Sequence, residues 1–200
     1  FSHWFDQGYF FSKAVAMAAV TWIVYVLGTV RILPFTTLSI IVSLTVVFVC
    51  GLLLNFQISN FKLKHRSTIL LVIEEIFFFL ALLAWVWVKA HEPSIRGLEK
   101  FMDYGFMKSI LESAYFPPPD MWYAGRSINY YYFGHMVVAV LTKLTGIDLA
   151  YTFNLMLATI FALTLTMSFS IGMQISRIGK IGRIGQLGAG ILTAFLVTLA

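Results

Sequence analysis

The sequence predicts an all-α fold. We read a polytopic bundle of transmembrane helices, about six spans with the last one truncated, and an extracytoplasmic loop carrying an amphipathic helix in the membrane plane. Three observations predict it. Of 200 residues, 60% are hydrophobic and only 12% charged, where a soluble domain is about 25% charged. Apolar runs long enough to cross a bilayer recur along the chain, and only helices or closed barrels satisfy their own backbone groups in lipid. One polar segment between these runs is too long to be a simple connector. The chain therefore parses as N-terminal transmembrane helices at 1–88, the loop at 89–130 and C-terminal transmembrane helices at 131–200.

The same composition excludes several classes. The net charge of +5 is spread over several loops, which suits topology and lipid-headgroup contact rather than nucleic acid. Cys50 is the sole cysteine, so neither an intrachain disulfide nor a cysteine metal site can form. The chain begins at Phe1 without Met and stops at Ala200, inside an apolar run that starts near Leu187. It reads as a fragment of a larger protein. No basic n-region or small-residue cleavage site precedes the first span, so that span is not a signal peptide.

Taken in order, Trp4, Phe5, Tyr9, Phe10 and Phe11 form an interfacial lead-in, with Asp6 and Lys13 as solvated flanking charges. The first span is expected over Ala14–Val30. Arg31 and Pro34 mark a turn, because proline does not continue a helix cheaply. The second span is expected over Leu38–Gln57. The polar stretch that follows holds Lys62, Lys64, His65 and Arg66, a basic set that argues for the cytoplasmic side.

The third span is expected over Thr68–Val88 and carries Glu74 and Glu75. An ionised carboxylate within a span costs about 2.5–3.5 kcal/mol on insertion scales. Neighbouring positions lie about 100° apart on a helix, so the two cannot face one partner. One reading is a proton or ion path. The plainer one pairs one glutamate with a basic group on another helix, while the other reaches toward the interface. Trp85 and Trp87 mark the far boundary.

In the loop, Leu98, Phe101, Met102, Gly105, Phe106, Ser109 and Ile110 recur with helical spacing. That apolar face, opposite a charged one, suits a helix lying in the membrane plane. Glu99 and Asp103 share a side of it, with Arg96 near them. Pro117, Pro118 and Pro119 end the helix. A short fourth span is expected over Tyr132–Leu144, a turn at Gly146 to Asp148, and a fifth span over Ala150–Gly172. The Arg177–Gly190 stretch is a basic, glycine-rich interfacial loop, without P-loop spacing. The last span begins near Leu187. These spans leave a conflict. With the 62–66 loop cytoplasmic, five full crossings put Arg177, Lys180 and Arg183 outside, against the positive-inside bias. Either the fourth segment does not fully cross or the rule fails.

Three kinds of group gather on the long loop. The carboxylates Glu92, Glu99, Asp103, Glu112 and Asp120 include candidates for a general base. Arg126, Lys100 and Lys108 suit a pyrophosphate or lipid phosphate. Trp122, Tyr130, Tyr131 and Tyr132 offer flat faces for a sugar ring or for the headgroup zone. The plainer readings are solvated carboxylates and an aromatic belt. His135 opens a span and is read equally as a structural histidine or a ligand. No metal-ligand spacing stands out. The residues call for no cofactor, with a divalent cation left open.

The blocks E99-x-x-M-D103, PPPD120-x-W122-x-x-G125 and INYYYFGH135, with D6-x-G8-Y9-x-x-S12-K13 and the region of Asn154, resemble the uncharacterised multi-spanning membrane family of archaea and bacteria named for its triple tyrosine. Met121 departs from the proline often found after the aspartate. That family looks distantly like the GT-C class of membrane glycosyltransferases, which use polyprenyl-phosphate sugars. The resemblance implies an integral protein of a prokaryotic plasma membrane that transfers a sugar at the outer face. It implies Asp103 as base, supported by Glu99. With that reading, the clustering on the loop makes Arg126 and Lys108 the holders of a lipid phosphate and Trp122, Tyr130, Tyr131 and Tyr132 the lining of the groove, with Asp120, Asn129 and His135 as further substrate-binding candidates. The Asp-x-Asp and His-Pro-Pro-Leu signatures of related transferases are absent. The runner-up reading is a transporter or lipid-handling subunit working through Glu74 and Glu75, and a third is a purely structural subunit.

Overall fold

A computed structural model describes Trp4 and residues 6–57, 65–97 and 99–199, with 55–57 and 65–67 described by backbone alone. Phe5, Lys62, Lys64 and Leu98, and the side chains of His65 and Arg66, lie outside the described residues. Among the described residues seven helices follow in chain order: α1 (Tyr9–Thr29), α2 (Thr37–Gln57), α3 (His65–His91), α4 (Lys100–Glu112), α5 (Phe133–Thr145), α6 (Leu149–Ile178) and α7 (Arg183–Thr198). The all-helical expectation holds. Four of them, α1, α2, α3 and α6, are long and apolar enough to cross a membrane, and α5 and α7 are shorter apolar helices.

Local chemistry explains where the helices start. Asp6 accepts the Gly8 N–H at 3.0 Å and its carbonyl accepts Tyr9 N–H. Tyr9, Phe10 and Phe11 of the aromatic lead-in are therefore the first turn of α1, which begins at Tyr9 rather than Ala14. Thr36 and Ser39 exchange side-chain bonds with each other's N–H groups, a reciprocal cap that starts α2. Gly146 closes α5 in the left-handed region at φ 69°, where glycine carries no Cβ penalty. Asp148 accepts Ala150 N–H at 2.8 Å to open α6.

The chain forms two compact units, neither contiguous in sequence: Phe1–Val15, Lys62–Glu92 and Leu155–Ala200 in the first, Ala16–Phe61 and Pro93–Asn154 in the second. In the first unit α3 and α6 run antiparallel. Trp85 stacks on Phe161 with centroids 4.4 Å apart at 14°, and Phe77 meets Phe169 edge-on at 5.3 Å. Ile73 and Met173 line one cavity further along. Early residues of α3 thus face late residues of α6. Gly172 and Gly190 bring α7 against α6, since a Cβ on the first would strike the Ala189 carbonyl and on the second the Phe169 ring.

This pairing bears on the topological conflict. The start of α3 and the end of α6 share one end of the first unit, and Arg177 lies at that end. Helix α5 is short for a crossing: its 13 residues extend about 20 Å, against a hydrocarbon core of roughly 30 Å. The basic loop is also smaller than expected. Helix α6 continues to Ile178 and takes Arg177 into its last turn, where a cation offsets the helix dipole. Helix α7 begins at Arg183, not Leu187.

In the second unit Val20 and Val24 of α1, Ile40 of α2, Ile110 of α4 and Met136, Ala139 and Val140 of α5 enclose one core with Phe35 and Phe116. The face of α4 expected to lie on lipid is turned largely onto protein. Phe106, Met107, Ser109 and Ile110 are buried, while Phe101 is 62% exposed. The packing of α4 on α5 takes up the apolar surface that the sequence pattern assigned to the bilayer.

Candidate functional site

The second unit brings Asp103 and His135 together. His135 lies in the first turn of α5, and Asp103 in the first turn of α4. His135 Nε2 stands 2.9 Å from Asp103 Oδ1. The aspartate side chain keeps 33% of its surface exposed and the histidine 13%, so the carboxylate is the half of the pair that an incoming molecule reaches. His135 Nδ1 is buried without a hydrogen-bond partner among the described residues. An orphaned lone pair is cheaper to bury than an orphaned N–H. The geometry therefore favours the tautomer with its proton on Nε2, directed at the Asp103 carboxyl.

Aromatic rings frame this pair. Phe106 meets the His135 ring edge-on at 5.5 Å, the Tyr130 ring at 5.8 Å and the Trp122 ring at 6.4 Å. Tyr130 donates its hydroxyl proton to the Tyr131 hydroxyl at 2.7 Å. The bond to Tyr131, followed by burial and by the charges of Tyr131, Glu99 and Asp103, pushes the Tyr130 phenol up from its ordinary range. It remains a neutral donor beside those carboxylates. A cleft of about 250 Å³ opens between Trp22, Tyr25, Tyr130, Tyr131, Tyr132 and Phe133. Trp122 and Tyr131 are largely exposed. Tyr132 is half-buried, its ring against Tyr25.

The loop between α4 and α5 is folded tightly. Asp120 Oδ1 accepts the N–H groups of Trp122 and Tyr123 at 2.8 and 3.0 Å, and Asp120 N–H donates to the Arg126 carbonyl. Pro119 and Ser127 form an isolated antiparallel bridge. Ser109 Oγ donates to the Pro119 carbonyl at 2.5 Å and ties the loop to α4. Asp120 thus shapes the turn that presents Trp122 and Arg126. Met121, the departure from the family pattern, lies against Gly105, where a Cβ would overlap its sulfur.

The other expected groups are placed differently. Glu99 is the N-cap of α4, four residues before Asp103, and makes no side-chain capping bond. Lys108 lies about 140° around the helix from Asp103 and pairs with Glu112 at 3.5 Å in an exposed i,i+4 contact. Arg126 and Asn129 are exposed. Asn154 donates to the Pro93 carbonyl at 2.9 Å and anchors the start of the long loop. No group of three or more metal-ligating side chains occurs among the described residues.

The sequence reading passed over Lys143. Its Nζ donates to the Phe35 and Leu111 carbonyls at 2.8 and 3.1 Å and lies 4.0 Å from the Phe35 ring centroid. The only signal was a lone cation near the end of an apolar helix.

In the first unit, Glu75 pairs with Lys13 and accepts the Tyr9 hydroxyl at 2.5 Å. That is the plainer expectation for one of the two glutamates. Two expectations are corrected. Glu74 does not reach an interface: it is 3% exposed, and neither oxygen has a hydrogen-bond partner among the described residues. Asp6 and Lys13 are not solvated flanks, because Asp6 is buried and accepts Ser170 Oγ at 2.8 Å, while Lys13 serves Glu75.

Fold and composition define an integral, α-helical membrane protein. Residues 19–200 match the family described as uncharacterised membrane protein (DUF2298), and the chain belongs to that family. No curated protein and no solved structure matches it.

Proposed function

We propose that the chain belongs to a membrane transferase of the GT-C kind, within the triple-tyrosine family that its sequence resembles. It would work in the plasma membrane of a prokaryote and move a sugar from a polyprenyl-phosphate donor at the outer face. The observation that carries this reading is the Asp103–His135 pair, a carboxylate about a third exposed and held by a largely covered imidazole 2.9 Å away.

The chemistry follows from the placement. The acceptor hydroxyl gives its proton to Asp103 as its oxygen bonds to the anomeric carbon. The bond from that carbon to the phosphate oxygen breaks, and the electron pair leaves with the polyprenyl phosphate. A base must sit within about 2.6–3.2 Å of the proton it takes, and an accessible carboxylate meets that need. His135 is a positioning residue, Arg126 is the anchor for the phosphate, and the Trp122 and Tyr130 rings supply the sugar platform. Glu99 adds negative charge beside the base. Lys108 has no part, because it lies on another side of α4.

The test uses the full-length protein with a labelled polyprenyl-phosphate sugar. Wild type is expected to release labelled glycan or glycolipid, and Asp103→Asn to bind the donor without turnover. Unchanged product from Asp103→Asn would end the catalytic assignment.

A further inference from the structure

The first unit holds a second feature that this reading does not use. A cavity of about 840 Å³ opens where the start of α3, the end of α6 and the start of α7 converge. Its walls are of two kinds. Arg177, Arg183 and Gln186 form the polar side, while Ile69, Leu70 and Ile73 of α3 form the apolar side. Ile69 and Ile73 are each more than half exposed, at 52% and 56%. No acidic residue is among the described residues that line it.

The polar side is pre-shaped. Gln186 Nε2 donates to the Ile181 carbonyl at 2.7 Å and holds the turn between α6 and α7. Gly182 caps α7 without a side-chain bond, so the positive end of that helix dipole adds to the arginines. Lys180 stands exposed in the same turn.

We infer that this cavity binds a phospholipid with an anionic phosphate headgroup, drawn from the surrounding bilayer. Charge complementarity selects the headgroup: the Arg183 guanidinium matches phosphate oxygens in fork geometry, Arg177 adds a second positive charge to the same wall, and basic pockets between spans are where anionic headgroups bind. The apolar wall selects a lipid over a free phosphate. Ile69, Leu70 and Ile73 continue from the basic rim along α3, one of the four helices long enough to cross, and give acyl chains a track where a soluble anion would meet only hydrocarbon. The site is independent of the transferase reading, because it involves neither Asp103 nor His135.

The experiment reconstitutes the full-length protein in nanodiscs of phosphatidylcholine with a minor fraction of phosphatidylglycerol, and measures retained phosphatidylglycerol by native mass spectrometry. Wild type is expected to retain it above the bulk ratio. Enrichment should fall about fivefold for each of Arg177→Ala and Arg183→Ala, the loss set by one basic group at an anionic surface. Ile73→Trp, which fills the apolar side without changing charge, should also reduce it. Arg31→Gln, which removes a positive charge in the second unit, should leave it unchanged. Wild-type enrichment in the double arginine variant would overturn the assignment. So would an equal loss with Arg31→Gln, or displacement of the lipid by millimolar inorganic phosphate.

Discussion

His135 of α5 reaches back 32 residues to hold the Asp103 carboxylate of α4 at 2.9 Å. If the histidine acts through its Nε2–H, a side chain that keeps a donor at that point should keep part of the function. His135→Gln is expected to retain a measurable fraction of turnover, and His135→Ala to lose about 10²-fold, the cost of a misplaced reacting group. Asp103→Asn should lose about 10²- to 10⁴-fold as a missing general base. Single-turnover rates with a labelled lipid-phosphate sugar check the series. Equal losses for Gln and Ala would reduce His135 to packing against Phe106.

Lys143 supports a stability prediction. Its ammonium satisfies two backbone carbonyls, one in the turn before α2 and one in α4. A methionine of similar length keeps the packing against Phe35 but leaves both carbonyls short of a donor. Hydrogen bonds to charged groups are worth about 1.5–3 kcal/mol each before relaxation. Lys143→Met is therefore expected to lower the melting temperature in detergent by several degrees without changing donor binding. Differential scanning fluorimetry with parallel binding measurements separates the two effects.

The fold was legible because its signal is repeated. Long uncharged runs identify spans residue after residue, and helix existence follows from them. What stayed hidden were pairings between distant residues. Asp6 and Lys13 look like flanking charges until α3 and α6 supply Glu75 and Ser170 as partners. The α4 stripe was readable as apolar, but periodicity does not say whether lipid or α5 covers it, and the burial of Ile110 decides that. At the site, the aromatic and acidic types on the loop were visible, whereas the junction of Asp103 with His135 depends on the turn built around Asp120.

The two adjacent glutamates of α3 should respond in opposite ways. Glu75 is held by Lys13 and Tyr9. Glu75→Ala leaves that ammonium without its carboxylate, a loss of about 1.5–3 kcal/mol. Glu74 is buried with both oxygens unpartnered, and an apolar side chain of similar volume there is commonly neutral or stabilising. Glu74→Met is therefore expected to hold or raise the melting temperature. A protein that moves ions through this unit would instead lose its activity with Glu74→Gln, at unchanged stability. Thermal melts and flux assays on the same variants decide between a structural and a transporting role for the pair.

The antiparallel run of α3 against α6 makes a prediction about sidedness that needs no substrate. Trp85 meets Phe161 and Phe77 meets Phe169, so Thr68 at the start of α3 and Lys180 after α6 belong to one membrane face, and His91 at the end of α3 to the other. Cys50 is the sole native thiol, and Cys50→Ser gives a clean background. In oriented vesicles, Thr68→Cys and Lys180→Cys should react with a membrane-impermeant maleimide from the same side, and His91→Cys only from the opposite side. If α5 were a full crossing, α3 and α6 would have to run the same way, and Lys180→Cys would label together with His91→Cys. The positive-inside bias gives the absolute direction: the Lys180 face, which carries Arg177 and Arg183, should be the cytoplasmic one.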